Sequence, residues 1–328
     1  MSNKPIYKLI DWIEEMSIND IYIYDYISTN PKACDFLKKN QKMINWLALS
    51  TNENAIEILI NNIDKIDWYY LSSNPNSIEI LNKNIDKINW DSLSKNPNGV
   101  KILEKNKNKI NWSYLSSNPN AFELIKENMD KIDWYFLCSN SNSKILKLLE
   151  NNEDKINWYS LSSNSNPIAI KILEKNQDKI IWDILCLNEN NKAIELLKKN
   201  KEKINGKNLS LNENINAIKL LEENPELINW RHLSINKNAI NLLKDNIHLT
   251  HPFYLSLNEN AIELLKNNRD KIHKIIYKNP SIFKLDYIEM KNNFQNIEED
   301  IIKEVLKPSR ILRNLMLFNY DIDDMFIF

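Results

Sequence analysis

The sequence predicts an all-α fold: an α-solenoid of about twelve two-helix repeats of 22 to 24 residues, with helical N- and C-terminal caps. The first observation behind this is a returning phrase, Trp-x-x-Leu-Ser-x-Asn-Pro-Asn-x-Ile. It is anchored on Trp46, Trp68, Trp90, Trp112, Trp134, Trp158, Trp182 and Trp230, with Tyr24, Gly206, Pro252 and His273 where the pattern continues without an indole. Self-similarity at a fixed period of this length marks stacked units. The second is that each period carries two helix-start signals, and the third is that its apolar residues gather on one helical face. The expected organisation is a capping region at 1–23, repeats at 24–287 and a helical cap at 288–328. A solenoid buries surface only between neighbours, so one elongated domain on the order of 100 Å long is expected from layers about 8 to 10 Å apart.

Taken in order, residues 6–15, with Trp12 and Ile13, have the pattern of an amphipathic helix closing the N-terminal face. Within a repeat, Asp67 precedes Trp68 as Asn89 precedes Trp90, and Asn45, Asn111, Asp133, Asn157, Asn205 and Asn229 recur at equivalent points. Asp and Asn accept hydrogen bonds from the free N–H groups of a helix start, which puts the first helix's N-cap there. Ile66 before the cap and Leu71 after it form a hydrophobic staple, and helix A spans about 68–73. A second cap follows in Asn74-Pro75, Asn96-Pro97 and Asn118-Pro119, where proline's fixed φ suits the first helical position. Helix B then spans about 75–83. At its end Asn84, Asn106, Asn128 and Asn176 predict a left-handed closing turn. Helices this short are marginal alone, so stacking is obligatory, with Trp, Leu and Ile expected as the continuous core. Beyond Pro280 the repeat dissolves into residues 297–306, 308–317 and an acidic, aromatic end at 321–328, read as a helical cap.

Composition excludes several function classes. The chain has 328 residues, 43% hydrophobic and 27% charged, which is ample for a core and unlike a disordered chain. With 43 basic and 44 acidic residues the net charge is -1, giving no global attraction to nucleic acid or anionic lipid. Cys34, Cys138 and Cys186 fit no zinc or CxxC spacing; Cys138 and Cys186 replace the repeat's serine, so all three read as reduced structural thiols. The first ten residues lack a basic segment followed by a long apolar run, and no stretch approaches a membrane span, so the expectation is a protein neither secreted nor membrane-spanning.

Chemistry is hard to find. No GxxxxGK[ST], GxGxxG or HExxH motif occurs, and two glycines leave little for a phosphate-cradling loop. His232, His248, His251 and His273 cluster in sequence but fall at different repeat positions and make no tetrahedral quartet. No catalytic residue, cofactor or metal is assigned. The series Asn30, Asn52, Asn74, Asn96, Asn118, Asn140, Asn164, Asn188, Asn212, Asn236 and Asn258 is kept in every unit, which fits capping, whereas base readout demands variation. A lysine row, Lys65, Lys87, Lys109, Lys131, Lys155, Lys179 and Lys203, is interleaved with Asp and Glu and reads as a solubilising border.

Two features stand apart. With Trp at angle zero, positions one, two and five residues later on helix A point away from the core. They hold Tyr69, Tyr70, Tyr114, Tyr135, Phe136 and Tyr159 early, then Ile184, Leu187, Leu211, Ile235, Phe253, Tyr254 and Leu257 late. Aromatic and aliphatic residues on an outward face are the compositional mark of an interface, so this is the candidate partner-binding surface. Packing beneath a neighbouring layer is the competing explanation. The second feature is the lengthening from 22 to 24 residues between Trp134 and Trp230. The extra pairs fall at 141–144, 165–167, 189–192 and 213–216, and are expected to enlarge four A-to-B turns along one edge, for binding or for curvature.

The phrases Leu71-Ser72-Ser73-Asn74-Pro75-Asn76 and Leu115-Ser116-Ser117-Asn118-Pro119-Asn120-Ala121 resemble the short tandem-repeat proteins abundant in giant DNA viruses of amoebae and algae. The likeness extends to Lys307-Pro308-Ser309-Arg310-Ile311 and Asp321-Ile322-Asp323-Asp324, similar to that family's closing segment. The resemblance implies a viral protein acting in the host cytoplasm or in the virion, and brings no catalytic chemistry. The resulting expectation is a non-catalytic scaffold for another protein, viral or host. Its rivals are a nucleic-acid-binding solenoid, which near-neutral charge disfavours, and an enzyme using Arg310, Arg313 and Asp321 in the divergent tail. Partner identity and oligomeric state are not encoded legibly.

Overall fold

Most units start with a side-chain-capped turn of helix, the helices after Ile181 and His251 being exceptions. Asp67 accepts the Tyr70 N–H at 3.1 Å and opens the helix Trp68–Ser73; Asn45, Asn89, Asn111, Asn157, Asn205 and Asn229 do the same for their own units. Asn74, with φ -73 and ψ 120, breaks that helix, and its side-chain oxygen takes the Asn76 N–H at 3.0 Å to begin the next. Pro75 occupies the first position of a 3-10 turn, Pro75–Ser77, which runs into the helix Ile78–Lys83. The staple residues Ile66 and Leu71 are both buried.

Helix B does not close through a left-handed residue. Asn84 has φ -137, and its amide donates back to the Ile80 carbonyl at 2.8 Å. Asn106, Asn128 and Asn176 repeat this geometry. The side chain itself satisfies a carbonyl of the last turn, so no left-handed turn is required. A short 3-10 turn, Ile85–Lys87, then returns the chain to the next cap.

In this computed structural model the described residues are 5–16 and 23–293, together with Lys303 and Lys307. The fold is all-α and repetitive; the strands among the described residues are β1, Tyr7–Leu9, and β2, Phe283–Leu285, paired in one small sheet. The chain divides into a large unit, Leu9–Phe283, and a small one drawn from Met1–Lys8 and Lys284–Phe328. In the small unit the Asp286 N–H donates to the Ile6 carbonyl, and Asp286 caps a turn through the Glu289 N–H. The N-terminal expectation is half met: residues 7–9 are strand, and the helix is only Asp11–Glu14, with Trp12 and Ile13 buried. The readings of residues 297–306, 308–317 and 321–328 lie outside the described residues, apart from Lys303.

Layers of the large unit are joined by a ladder of buried amides. Asn96 donates to the Ser72 carbonyl at 3.1 Å and to the Asn74 carbonyl at 2.8 Å, both in the preceding layer. Asn118 bonds to Ser94 and Asn96, and Asn140 to Ser116 and Asn118. A second rung comes from serine. Ser72 donates to the Trp68 carbonyl and accepts the Asn89 N–H of the next unit at 3.0 Å. A third lies at the surface, where Asn98 donates to the Pro75 carbonyl and Asn120 to the Pro97 carbonyl. Asparagine is therefore cap and interlayer bond at once, beyond the capping role that sequence predicted. Buried backbone carbonyls need partners, and these amides supply them between helices too short to do so.

The ladder closes on itself. Asn30, in the first unit, donates to the Tyr277 carbonyl at 3.1 Å and the Asn279 carbonyl at 3.0 Å in the last. Asn279 in turn bonds to Ser256 and Asn258, completing a cycle of twelve asparagines. The elongated rod expected from the repeat is thus a ring within Leu9–Phe283. Each layer is joined to the next by the same rungs, and a turn repeated at every joint completes the circle.

The last unit is one residue short between its cap and its buried aliphatic. In the unit before, Leu255 N–H reaches the His251 carbonyl, an α-helical step; in the last, Ile276 N–H reaches the His273 carbonyl, a 3-10 step. His273 accordingly serves as the cap, its Nδ1 accepting the Ile275 N–H at 3.1 Å, rather than as the tryptophan equivalent alone. Among the 24-residue units, the extra pairs do not enlarge turns. Asn166, Asn190 and Asn214 form a second cap two residues after the ladder asparagine, and helix B lengthens to nine residues in Pro167–Lys175, Asn191–Lys199 and Ile215–Glu223.

Candidate binding face

The tryptophans were expected in the core, but Trp46, Trp68, Trp90, Trp112, Trp134, Trp158, Trp182 and Trp230 are each half-buried. Full burial belongs to the leucine three residues on, such as Leu49, Leu71, Leu93 and Leu115, each 0% exposed. The open side of the indole is covered by the lysine row. The ammonium groups of Lys65, Lys87, Lys131 and Lys179 lie 4.7 to 5.1 Å from the ring centroids of Trp46, Trp68, Trp112 and Trp158. Each lysine thereby reaches back to the preceding unit, a role beyond solubility.

At Gly206 the indole is missing for a steric reason. A Cβ at Gly206 would stand 2.0 Å from the Leu227 carbonyl oxygen, so backbone fills the space that Lys and Trp share elsewhere. The serine variants also find a role. The sulfurs of Cys138 and Cys186 accept the N–H groups of Asn157 and Asn205 at 3.3 Å, longer than the serine bonds because sulfur is the larger, weaker acceptor. Burial pushes both thiols up to about 11, as it does Cys34, which keeps them protonated and poorly nucleophilic at neutral pH.

The outward positions lie on the face of helix A opposite the buried Leu and Ser. Tyr69, Tyr135 and Tyr159 are 52%, 46% and 51% exposed, and Leu187 is also exposed. Tyr70, Tyr114, Phe136, Ile184, Leu211, Ile235, Phe253, Tyr254 and Leu257 are half-buried. The half-buried rings lean on their neighbours: Tyr114 meets Phe136 of the next unit edge-on at 5.8 Å, and Tyr135 meets Phe136 at 5.3 Å. Lys95 stands over the Tyr114 ring at 3.7 Å and Arg231 over Tyr254 at 5.4 Å. Part of the face is therefore self-packed, and most of its free area comes from the position immediately after the tryptophan, with Leu187 five residues after Trp182. Leu47 is 50% exposed at that same position and was not singled out by the sequence reading, which began its series at Tyr69.

No protein-family model, curated protein or solved structure matches the chain. The site therefore rests on geometry alone. The histidines contribute ring contacts to this region: His232 and His251 lie 5.7 and 5.3 Å from Tyr254, and His273 5.1 Å from Phe253. His232 hydrogen-bonds Asn229 through Nδ1, and burial, then Lys207 and Arg231, hold its pKa below the ordinary value. Among the described residues no group of three or more His, Cys, Asp or Glu is placed to hold a metal, and no helix is long and apolar enough to cross a membrane. Arg310, Arg313 and Asp321, the residues of the enzyme alternative, lie outside the described residues.

Proposed function

We propose that this chain is a non-catalytic, ring-forming repeat scaffold that binds another protein through the outward A-helix face. The observation carrying this reading is the half-exposure of Tyr69, Tyr135 and Tyr159 at one repeat position. Tyrosine brings large, rigid contact area and a polar tip at low entropy cost, which is why it recurs at interfaces. Leu47 and Leu187 add aliphatic anchors on the same side. The resemblance to giant-virus tandem-repeat proteins supports a viral setting, in the host cytoplasm or in the virion, with a viral or host protein as partner.

The test replaces Tyr69, Tyr135 and Tyr159 together with serine, avoiding Phe136 and Tyr114, whose rings pack on each other. Affinity capture from infected cells is compared between wild type and variant by mass spectrometry, with circular dichroism as the folding control. A partner retained by wild type and lost by the triple variant, at equal helicity, supports this face. Equal recovery of every wild-type partner would remove it.

A further inference from the structure

Between the units of Trp158 and Trp182 the outward face of helix A changes its chemistry. Five residues after the tryptophan position, Thr29, Thr51, Ser73, Ser117, Ser139 and Ser163 each donate a hydroxyl to the carbonyl three residues back, at 2.7 to 2.9 Å. Lys95 completes that series. The next four units have Leu187, Leu211, Ile235 and Leu257 there instead. An aliphatic side chain forfeits the hydroxyl's bond and adds apolar surface, yet Leu187 is exposed and the other three are half-buried. Four in consecutive units serve no need of the helices they end, and such a row is the mark of a surface that something covers.

Two cations accompany the aliphatic row. Lys207 and Arg231, four residues before Leu211 and Ile235, share their helical face, at the position where earlier units have Tyr69, Asp91 or Tyr135. Both are exposed, and among the described residues neither has a carboxylate within ion-pair distance, whereas Lys198 and Lys237 pair with Glu223 and Glu213 at 3.1 and 2.6 Å. Their charges converge on His232, whose pKa is lowered by burial and then by Lys207 and Arg231. Negative charge lies on the other side of the row in sequence, two residues beyond it, at Glu189 and Glu259. We infer that the four units from Trp182 to Pro252 form a docking strip for an amphipathic acidic segment of the partner protein, its apolar side chains on the aliphatic row and its carboxylates beside Lys207 and Arg231. The inference rests on the outward A face being protein-binding and names the chemistry that one arc of it takes. A carboxylate gains charge-assisted bonds from these cations, and an aliphatic neighbour in the same segment covers the row. A nucleic-acid strand would use the cations but leave the row without an apolar partner, and Glu189 and Glu259 would repel its phosphates.

The test selects random peptides of about a dozen residues, displayed on yeast, against the full chain, and titrates the recovered peptides, synthesised with a fluorescent label, by anisotropy. The recovered sequences are expected to combine Asp or Glu with Leu, Ile or Phe. Lys207→Glu together with Arg231→Glu is expected to weaken binding about tenfold or more, Leu187→Ser about threefold, and added salt to weaken the wild type. Should the charge reversal not fold by circular dichroism, Lys207→Gln with Arg231→Gln replaces it. Peptides without acidic enrichment, or binding indifferent to the charge variant, overturn the strip. Tighter binding of labelled single-stranded oligothymidylate through the same two cations overturns it in favour of nucleic acid. The serine variant of Tyr69, Tyr135 and Tyr159 keeps the two readings apart: those residues lie in earlier units, so it is expected to retain the peptide, and the strip is decided by the charge variant even if the tyrosine variant recovers every partner from cells.

Discussion

At the scale of the residue, one amide does three tasks. Asn118 accepts the Asn120 N–H at 3.0 Å and donates to the Ser94 and Asn96 carbonyls from a site that is 0% exposed. Asn118→Ala strands two buried carbonyls and one N–H and is expected to cost at least about 2 kcal/mol, since each unpaired buried polar group costs roughly 1–3; urea unfolding measures it, and a loss below about 0.5 kcal/mol would reduce the rung to decoration. The cysteines test the neighbouring rung by titration. Their thiols sit at about 11 when folded against 9.0 as the ordinary value, so the protonated form is favoured in the fold. Stability from this source is complete below pH 9 and is lost as pH rises through 11, because the unfolded thiols ionise first. Replacing Cys138 and Cys186 with serine is expected to leave neutral-pH stability nearly unchanged, serine being the repeat's usual acceptor, and to flatten the decline in urea midpoint between pH 9 and 11. An unaltered decline would show that the thiols do not titrate with folding.

The element scale explains what the sequence could foretell. Caps, the staple and helix A bounds were legible because they depend on residues within five positions of one another. The end of helix B was misjudged because asparagine there acts through its side chain on the Ile80 carbonyl, while composition alone suggests the left-handed backbone. The 24-residue units were misjudged in a similar way: the extra pair reads as loop, yet Asn166 converts it into a second cap and a longer helix. Deleting residues 165–166 joins Asn164 to Pro167 and aligns Ala169, Ile170, Ile172 and Leu173 with Ser77, Ile78, Ile80 and Leu81 of a 22-residue unit. All eight of those positions except Ile78 are buried. The deletion variant is expected to fold with undiminished helicity and to lose about 1–2 kcal/mol in urea, for the surface bond from Asn166 to the Ser141 carbonyl and its neighbours. Collapse of helicity would mean that the longer helix B is required by the curvature of that arc. The indole's partial exposure was not legible either, because helical angle places Trp beside Leu but says nothing of the lysine that covers its open side.

For the whole molecule, a period reveals that units stack and leaves unstated whether they meet. Closure depends on Asn30 and Asn279 finding in each other's units what every other asparagine finds next door. A ring made of one repeated contact is a heterologous interface that closes; removing a member leaves two complementary faces that no longer reach each other in one chain. A chain ending at residue 272 lacks the last unit, leaving the Asn30 amide and the carbonyls of Ser256 and Asn258 without their ring partners. Because each unit depends mainly on its neighbours, the remaining eleven are expected to stay folded. Their open faces should then pair between chains, head to tail, with the Asn30 amide of one molecule on the Ser256 and Asn258 carbonyls of another. Sedimentation velocity is expected to show mass growing with concentration for the truncated chain beyond any growth of the full chain. Adding Asn30→Lys to the truncation places a charged, flexible side chain on that face and should stop the growth. A truncated chain whose mass stays constant with concentration, at full helicity, would mean that the layer faces are complementary only when the chain holds them together, and closure would then owe more to covalent continuity than to the ladder.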